Sequence, residues 1–94
     1  MGQLLVDNGV ANADGIPADG AAKNVLAQSS AWGGGSVALS ISRDGGVTKI
    51  PIKKGDTAIS FTENDEVMID AAKIGTRIYA VVTGTPADLY VEMF

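Results

Sequence analysis

The chain has no cysteine and no histidine. The first absence excludes disulfides, thiolate chemistry and zinc fingers; the second removes the commonest general base. Without disulfides, nothing in the sequence points to an oxidising compartment. No apolar run approaches the ~20 residues that a spanning helix needs. The opening MGQLLVDNG lacks a basic region ahead of its short apolar run, so no secretory signal is expected. Gly2 does not start a myristoylation motif, because Val6 stands where Ser or Thr is required. The expectation is a soluble chain with no membrane partner.

Positive charge is also scarce. Seven basic residues face eleven carboxylates, for a net charge of −4, and the closest basic group is Lys49, Lys53 and Lys54. That is a solvated strand end rather than a phosphate-binding stripe, so nucleic acid is not an expected partner. Aromatics make up only 5% of a chain that is 46% hydrophobic, and 12 residues are glycine. Small and β-branched side chains carry the pattern instead, which suits thin sheets and leaves no long helix of Leu, Glu and Lys. Ninety-four residues make one domain.

What is present is alternation. In Ser36–Ser42, Val37, Leu39 and Ile41 point one way and the serines with Ala38 the other, the period of a half-buried strand. Asp44-Gly45-Gly46 tolerates the positive φ of a tight turn, and Val47–Ile52 reads as the returning strand, with Pro51 marking an edge. Further strands are expected over Thr57–Thr62, Arg77–Val82 and Asp88–Phe94. DEVMIDAAKIG fits a short helix capped by Asp65 and Gly75, but the alternation of Val67 and Ile69 favours a strand. Turn signals every eight to twelve residues predict an all-β fold. We expect an antiparallel sandwich or jelly-roll-like body of about seven or eight strands over residues 36–94. Its core would be Val37, Leu39, Ile41, Ile50, Ile59, Phe61, Ile69, Val81, Leu89 and Val91.

Residues 1–35 differ. DNGVANADGIPADGAAKN is rich in Asp, Asn, Gly and Ala, which reads as an extended or loop-rich docking segment. Leu4, Leu5, Val6, Val10 and Ile16 would supply its contacts, and Trp32 would anchor it where it joins the body. Gln3–Val6 either adds to a neighbour's sheet or pairs within its own sandwich; Lys23–Ser30 offers another short strand. Tyr79 and Tyr90 each stand opposite aliphatic neighbours, so both are expected to face outward as partner-binding residues.

No chemistry-bearing motif completes itself. NADG and PADG resemble pieces of a calcium loop, but Val10 and Ala21 occupy ligand places. Gly33-Gly34-Gly35 lacks the Lys and Ser or Thr of a phosphate loop and leads into a strand. Glu63, Asp65 and Glu66 cluster beside a turn, where carboxylates solvate easily. The expectation is no metal, no cofactor and no enzyme activity.

WGGGSVALSISRDGG followed by IGTRIYAVVTGTPADLYVEMF resembles a group of short virion proteins of tailed bacteriophages. The shared features are a strand begun by glycines, an Asp-Gly-Gly turn, a Gly-Thr-Arg-initiated strand ending in Thr-Gly, and a final strand. The resemblance covers the last two-thirds of the chain. It departs at Val47-Thr48-Lys49, where an aromatic is expected, and at the amino-terminal tract. It implies a capsid decoration (cement) protein or head fibre that binds the major capsid protein or other virion proteins. It further implies a homo-oligomer, a trimer being one form, made in the host cytoplasm and located on the capsid surface. Two other readings stay open: a tail, baseplate or fibre-adaptor component, and a carbohydrate-binding module using Trp32 with Tyr79 or Tyr90.

Overall fold

The structure, a computed structural model, describes residues 3–94, so the Gly2 reading lies outside it. Leu5 and Val6, next to each other in sequence, are both fully buried. A simple strand cannot do this, since neighbours point to opposite faces. The first strand, β1 (Gln3–Asp7), solves it with a register shift between Leu4 and Val6 against its partner, so one extra residue is turned inward.

The remaining strands are β2 (Val10–Ala11), β3 (Ile16–Pro17), β4 (Lys23–Gln28), β5 (Ser36–Ser42), β6 (Ile50–Pro51), β7 (Lys53–Lys54), β8 (Thr57–Ala58), β9 (Ser60–Phe61), β10 (Asp65–Ile69), β11 (Arg77–Thr83) and β12 (Tyr90–Met93). Every pairing between them is antiparallel, and the described residues contain no helix. The segment 65–69 is thus a strand, the alternative that its alternation favours over the capped helix. Six of the twelve strands have only two residues, which is why the number exceeds the seven or eight expected.

One sheet runs β10-β4-β12-β1-β2; the other runs β3-β11-β5-β6, with β9 also on β5, and β7–β8 form a separate hairpin. Inward side chains of both sheets meet in one core: Leu5, Val6, Val25, Ala27, Ile69, Val91 and Met93 from the first, Ile16, Val37, Leu39, Phe61, Ile78 and Ala80 from the second. Each fully buried Leu, Val or Ile contributes ~1.5–3 kcal/mol, so this cluster is the main source of stability. The result is an all-β, sandwich-like fold.

Three expectations about burial need correction. Ile41 is only half-buried, and Ile50 and Val81 are exposed. Ile50 sits on a two-residue edge strand that ends in Pro51, with nothing beyond to cover it. Val81 has the wrong parity: Ile78 and Ala80 take the core face of β11, which leaves Val81 on the outside.

Residues 3–35 supply strands to both sheets. β1 lies between β12 and β2, β4 lies between β10 and β12, and β3 pairs with β11. Of the two readings of Gln3–Val6, the structure adopts pairing within the chain's own sandwich. Leu5, Val6 and Ile16 are therefore core residues and not partner contacts, a correction to the docking-segment expectation. An arm left free would have to expose those side chains and would still lose ~1–2 kcal/mol per residue on ordering.

Candidate functional site

Residues paired directly across strands share a face, so the register identifies the outer surface of the first sheet. Leu4 stands opposite Glu92, Glu92 opposite Leu26, and Leu26 opposite Glu66, a row that crosses four strands. Met68 opposite Asn24, Tyr90 opposite Gln28 and Val10 opposite Asp7 extend it. Leu4, Val10, Met68, Tyr90 and Phe94 are all exposed there, Val10 to 71%. Asp7, Glu66 and Glu92 supply charge of one sign, and no lysine or arginine shares these positions. Of the expected partner-binding residues, this face therefore assembles Leu4, Val10 and Tyr90. It adds Met68 and Phe94, which the sequence reading missed; their parity with Tyr90 and Glu66 was the available signal.

Tyr79 lies on the outer face of the second sheet, opposite Ser40. The outward direction was read correctly and the exposure was not: the ring is only 2% exposed. Two glycine backbones close over it. A Cβ on Gly15 would come within 2.9 Å of the ring, and one on Gly46 within 3.0 Å of the hydroxyl. Lys49 completes the cover with its Nζ 4.8 Å from the ring centre. Among the described residues the Tyr79 hydroxyl is the buried side-chain group without a hydrogen-bond partner.

The loop that covers Tyr79 is held by its own side chains. Ser42 Oγ donates to Asp44 Oδ1 at 2.7 Å and accepts from Gly46 N–H at 2.9 Å, while Thr48 N–H donates to Asp44 Oδ1 at 2.8 Å. These bonds, the Ser42 hydroxyl first, hold the Asp44 carboxyl below the usual carboxylate range. Gly45 and Gly46 take the positive φ that the sequence reading assigned to this turn.

Trp32 is half-buried and packs against the core cluster. Its Nε1 donates to Asn64 Oδ1 at 2.9 Å, and the same oxygen accepts from Ser29 N–H at 2.8 Å. The following glycines serve separate ends. Gly33 and Gly34 have φ of 55° and 79°, forming a turn closed by Gly35 N–H to Trp32 O at 2.8 Å. Gly35 lies against Pro86, where a Cβ would approach to 2.6 Å.

Among the described residues no group of three or more carboxylates is placed to hold a metal ion. No family model, curated protein or solved structure matches this chain.

Proposed function

We propose that this chain is a structural protein of a tailed-bacteriophage particle that binds the outer surface of the capsid as a decoration protein. The observation that supports this reading is the outer face of the first sheet, where Leu4, Val10, Met68, Tyr90 and Phe94 stand uncovered beside Asp7, Glu66 and Glu92. A broad face that mixes tyrosine, methionine and aliphatic side chains with a charged fringe suits docking on a protein surface. The partner is the major capsid protein, and the chain acts by binding, without cofactor or catalysis. Binding to the assembled shell alone stabilises that state, by ~2.7 kcal/mol for each site at a free concentration a hundred times Kd.

The test is the number of copies in purified particles from cells that carry this gene, measured by quantitative mass spectrometry and electron microscopy. Hundreds of copies in register with the shell support decoration. Tens of copies at one vertex support the tail or baseplate reading, and none overturns both. The carbohydrate reading finds less support. Tyr79 is covered, Trp32 is engaged with Asn64, and Tyr90 lies on the other sheet from Tyr79, so the two tyrosines form no common stacking surface.

A further inference from the structure

The open edges of the two sheets are unequal. β2, β3 and β6 each have two residues, and β3 and β6 both end in proline. β10 has five residues, all in register with β4, no proline and no bulge, and the first sheet stops there. Proline, bulges and extreme shortness protect many edges, and β10 has none of them; its charges, Asp65 and Glu66, stand together at one end of the strand.

The hydrogen-bond parity of this edge is fixed by β4. Asn24 and Phe94 exchange both backbone bonds, at 2.7 and 2.8 Å, so the even-numbered residues of β4 face β12. The odd-numbered ones therefore face β10 and occupy Asp65, Val67 and Ile69. Glu66 and Met68 point their backbone groups away from the sheet. Glu66 N–H donates to Asp65 Oδ1 at 2.8 Å, which leaves the Glu66 carbonyl and both backbone groups of Met68 open.

We infer that β10 pairs antiparallel with β10 of a second copy, about a two-fold axis through Val67. The register follows from charge. Outward groups meet outward groups when the axis passes through a residue, and of those axes only the ones at Glu66, Val67 and Met68 oppose three or more residues of the strand. An axis at Glu66 sets the two Glu66 carboxylates side by side, and one at Met68 sets Glu66 against the copy's Asp70. The axis at Val67 places Glu66 beside Met68 of the copy and Asp65 beside Ile69, with no like charges opposed. In that register the Glu66 N–H exchanges its own neighbour's carboxylate for the copy's Met68 carbonyl.

The pairing is isologous and closes on itself. It consumes the long edge of the first sheet, and the two-residue β2 at the other end offers little for a further copy, so a dimer forms and not a fibre. Both outer faces lie on the same side of the joined sheet. The exposed row of Leu4, Tyr90 and Phe94 is thereby doubled, whatever partner it meets.

Sedimentation equilibrium of the intact chain tests this, with a micromolar dimer expected; a chain still monomeric at ~100 µM overturns it. Met68→Pro removes only an outward N–H and is expected to give a folded monomer by circular dichroism. A folded Met68→Pro chain that remains dimeric overturns the proposal. Should that variant unfold, a charge pair decides. Met68→Lys sets an ammonium beside Glu66 of the copy and tightens the dimer, while Met68→Glu weakens it, the two separated by roughly tenfold in Kd. Equal effects of Lys and Glu overturn the register.

Discussion

Gly46 stands so close to Tyr79 that a Cβ on it would lie 3.0 Å from the phenolic oxygen and 3.2 Å from the carbon that bears it. Gly15 approaches from its own loop, where a Cβ would also meet the Ile78 carbonyl at 2.8 Å. Both glycines have positive φ, 95° and 66°. Alanine at either position combines strain of ~1–3 kcal/mol with a steric clash. Gly15→Ala is expected to be the worse of the two, because a backbone carbonyl cannot swing aside as a loop can. Gly9, at φ 85° with open space around it, is the control and costs only ~1–2 kcal/mol. Urea denaturation of the three variants should rank them in that order.

The Tyr79 hydroxyl is buried without a partner, while its ring fills the space under the loop. Tyr79→Phe keeps the ring and removes the unpaired group, so it should hold or raise stability by ~1 kcal/mol. Tyr79→Ala empties the space and should lose ~3–5 kcal/mol. Thermal unfolding of the pair separates the packing role from the hydroxyl.

Asn64 holds two donors with one oxygen, Trp32 Nε1 and Ser29 N–H. Asn64→Ala leaves the Ser29 amide, in a buried residue, without its acceptor, for an expected loss of ~1–3 kcal/mol. The chain has one tryptophan, so its fluorescence reports the site cleanly. Emission should shift to the red in the variant while the fold persists.

Asp44 is held below the usual carboxylate range by the Ser42 hydroxyl and the Thr48 amide. Its folded pKa lies under its unfolded one, so its stabilisation is full above the unfolded value and vanishes as pH falls through the folded one. In an acid titration the Gly46 and Thr48 amides should lose protection relative to their intrinsic exchange rates, with a midpoint below that of an ordinary aspartate. Asp44→Asn should remove that transition while leaving an acceptor in place.

The parts of the fold that follow a period of two were legible. Ser36–Ser42 forms β5 with Val37 and Leu39 inward, and Leu89, Val91 and Met93 turn inward near the other end as their alternation indicated. What failed were departures from that period and events between segments. The shift in β1 buries Leu5 and Val6 together, so no alternation announces them. Asn8-Gly9, with φ of 48° and 85°, is a strong hairpin signal that joins β1 to β2. It was submerged in a tract whose composition suggested looseness. For the candidate site, Leu4, Val10 and Tyr90 were legible as surface residues, but not that they share a face with Met68 and Phe94. Tyr79 shows the limit in reverse: its direction follows from parity, but its cover comes from two glycine loops remote from it in sequence.

β12 lies between β1 and β4, and its Cα partners reach from Gln3 in one to Gln28 in the other. A ribosome therefore delivers both neighbours long before the strand that separates them. Until residues 90–93 emerge, β1 and β4 both lack the strand that each pairs with in the finished sheet. Adding that strand brings together segments from opposite ends of the sequence, the kind of non-local contact that places folding in the millisecond-to-second range and not the microsecond one. The nascent chain is most vulnerable to aggregation in that interval, and insertion of β12 is the event that ends it.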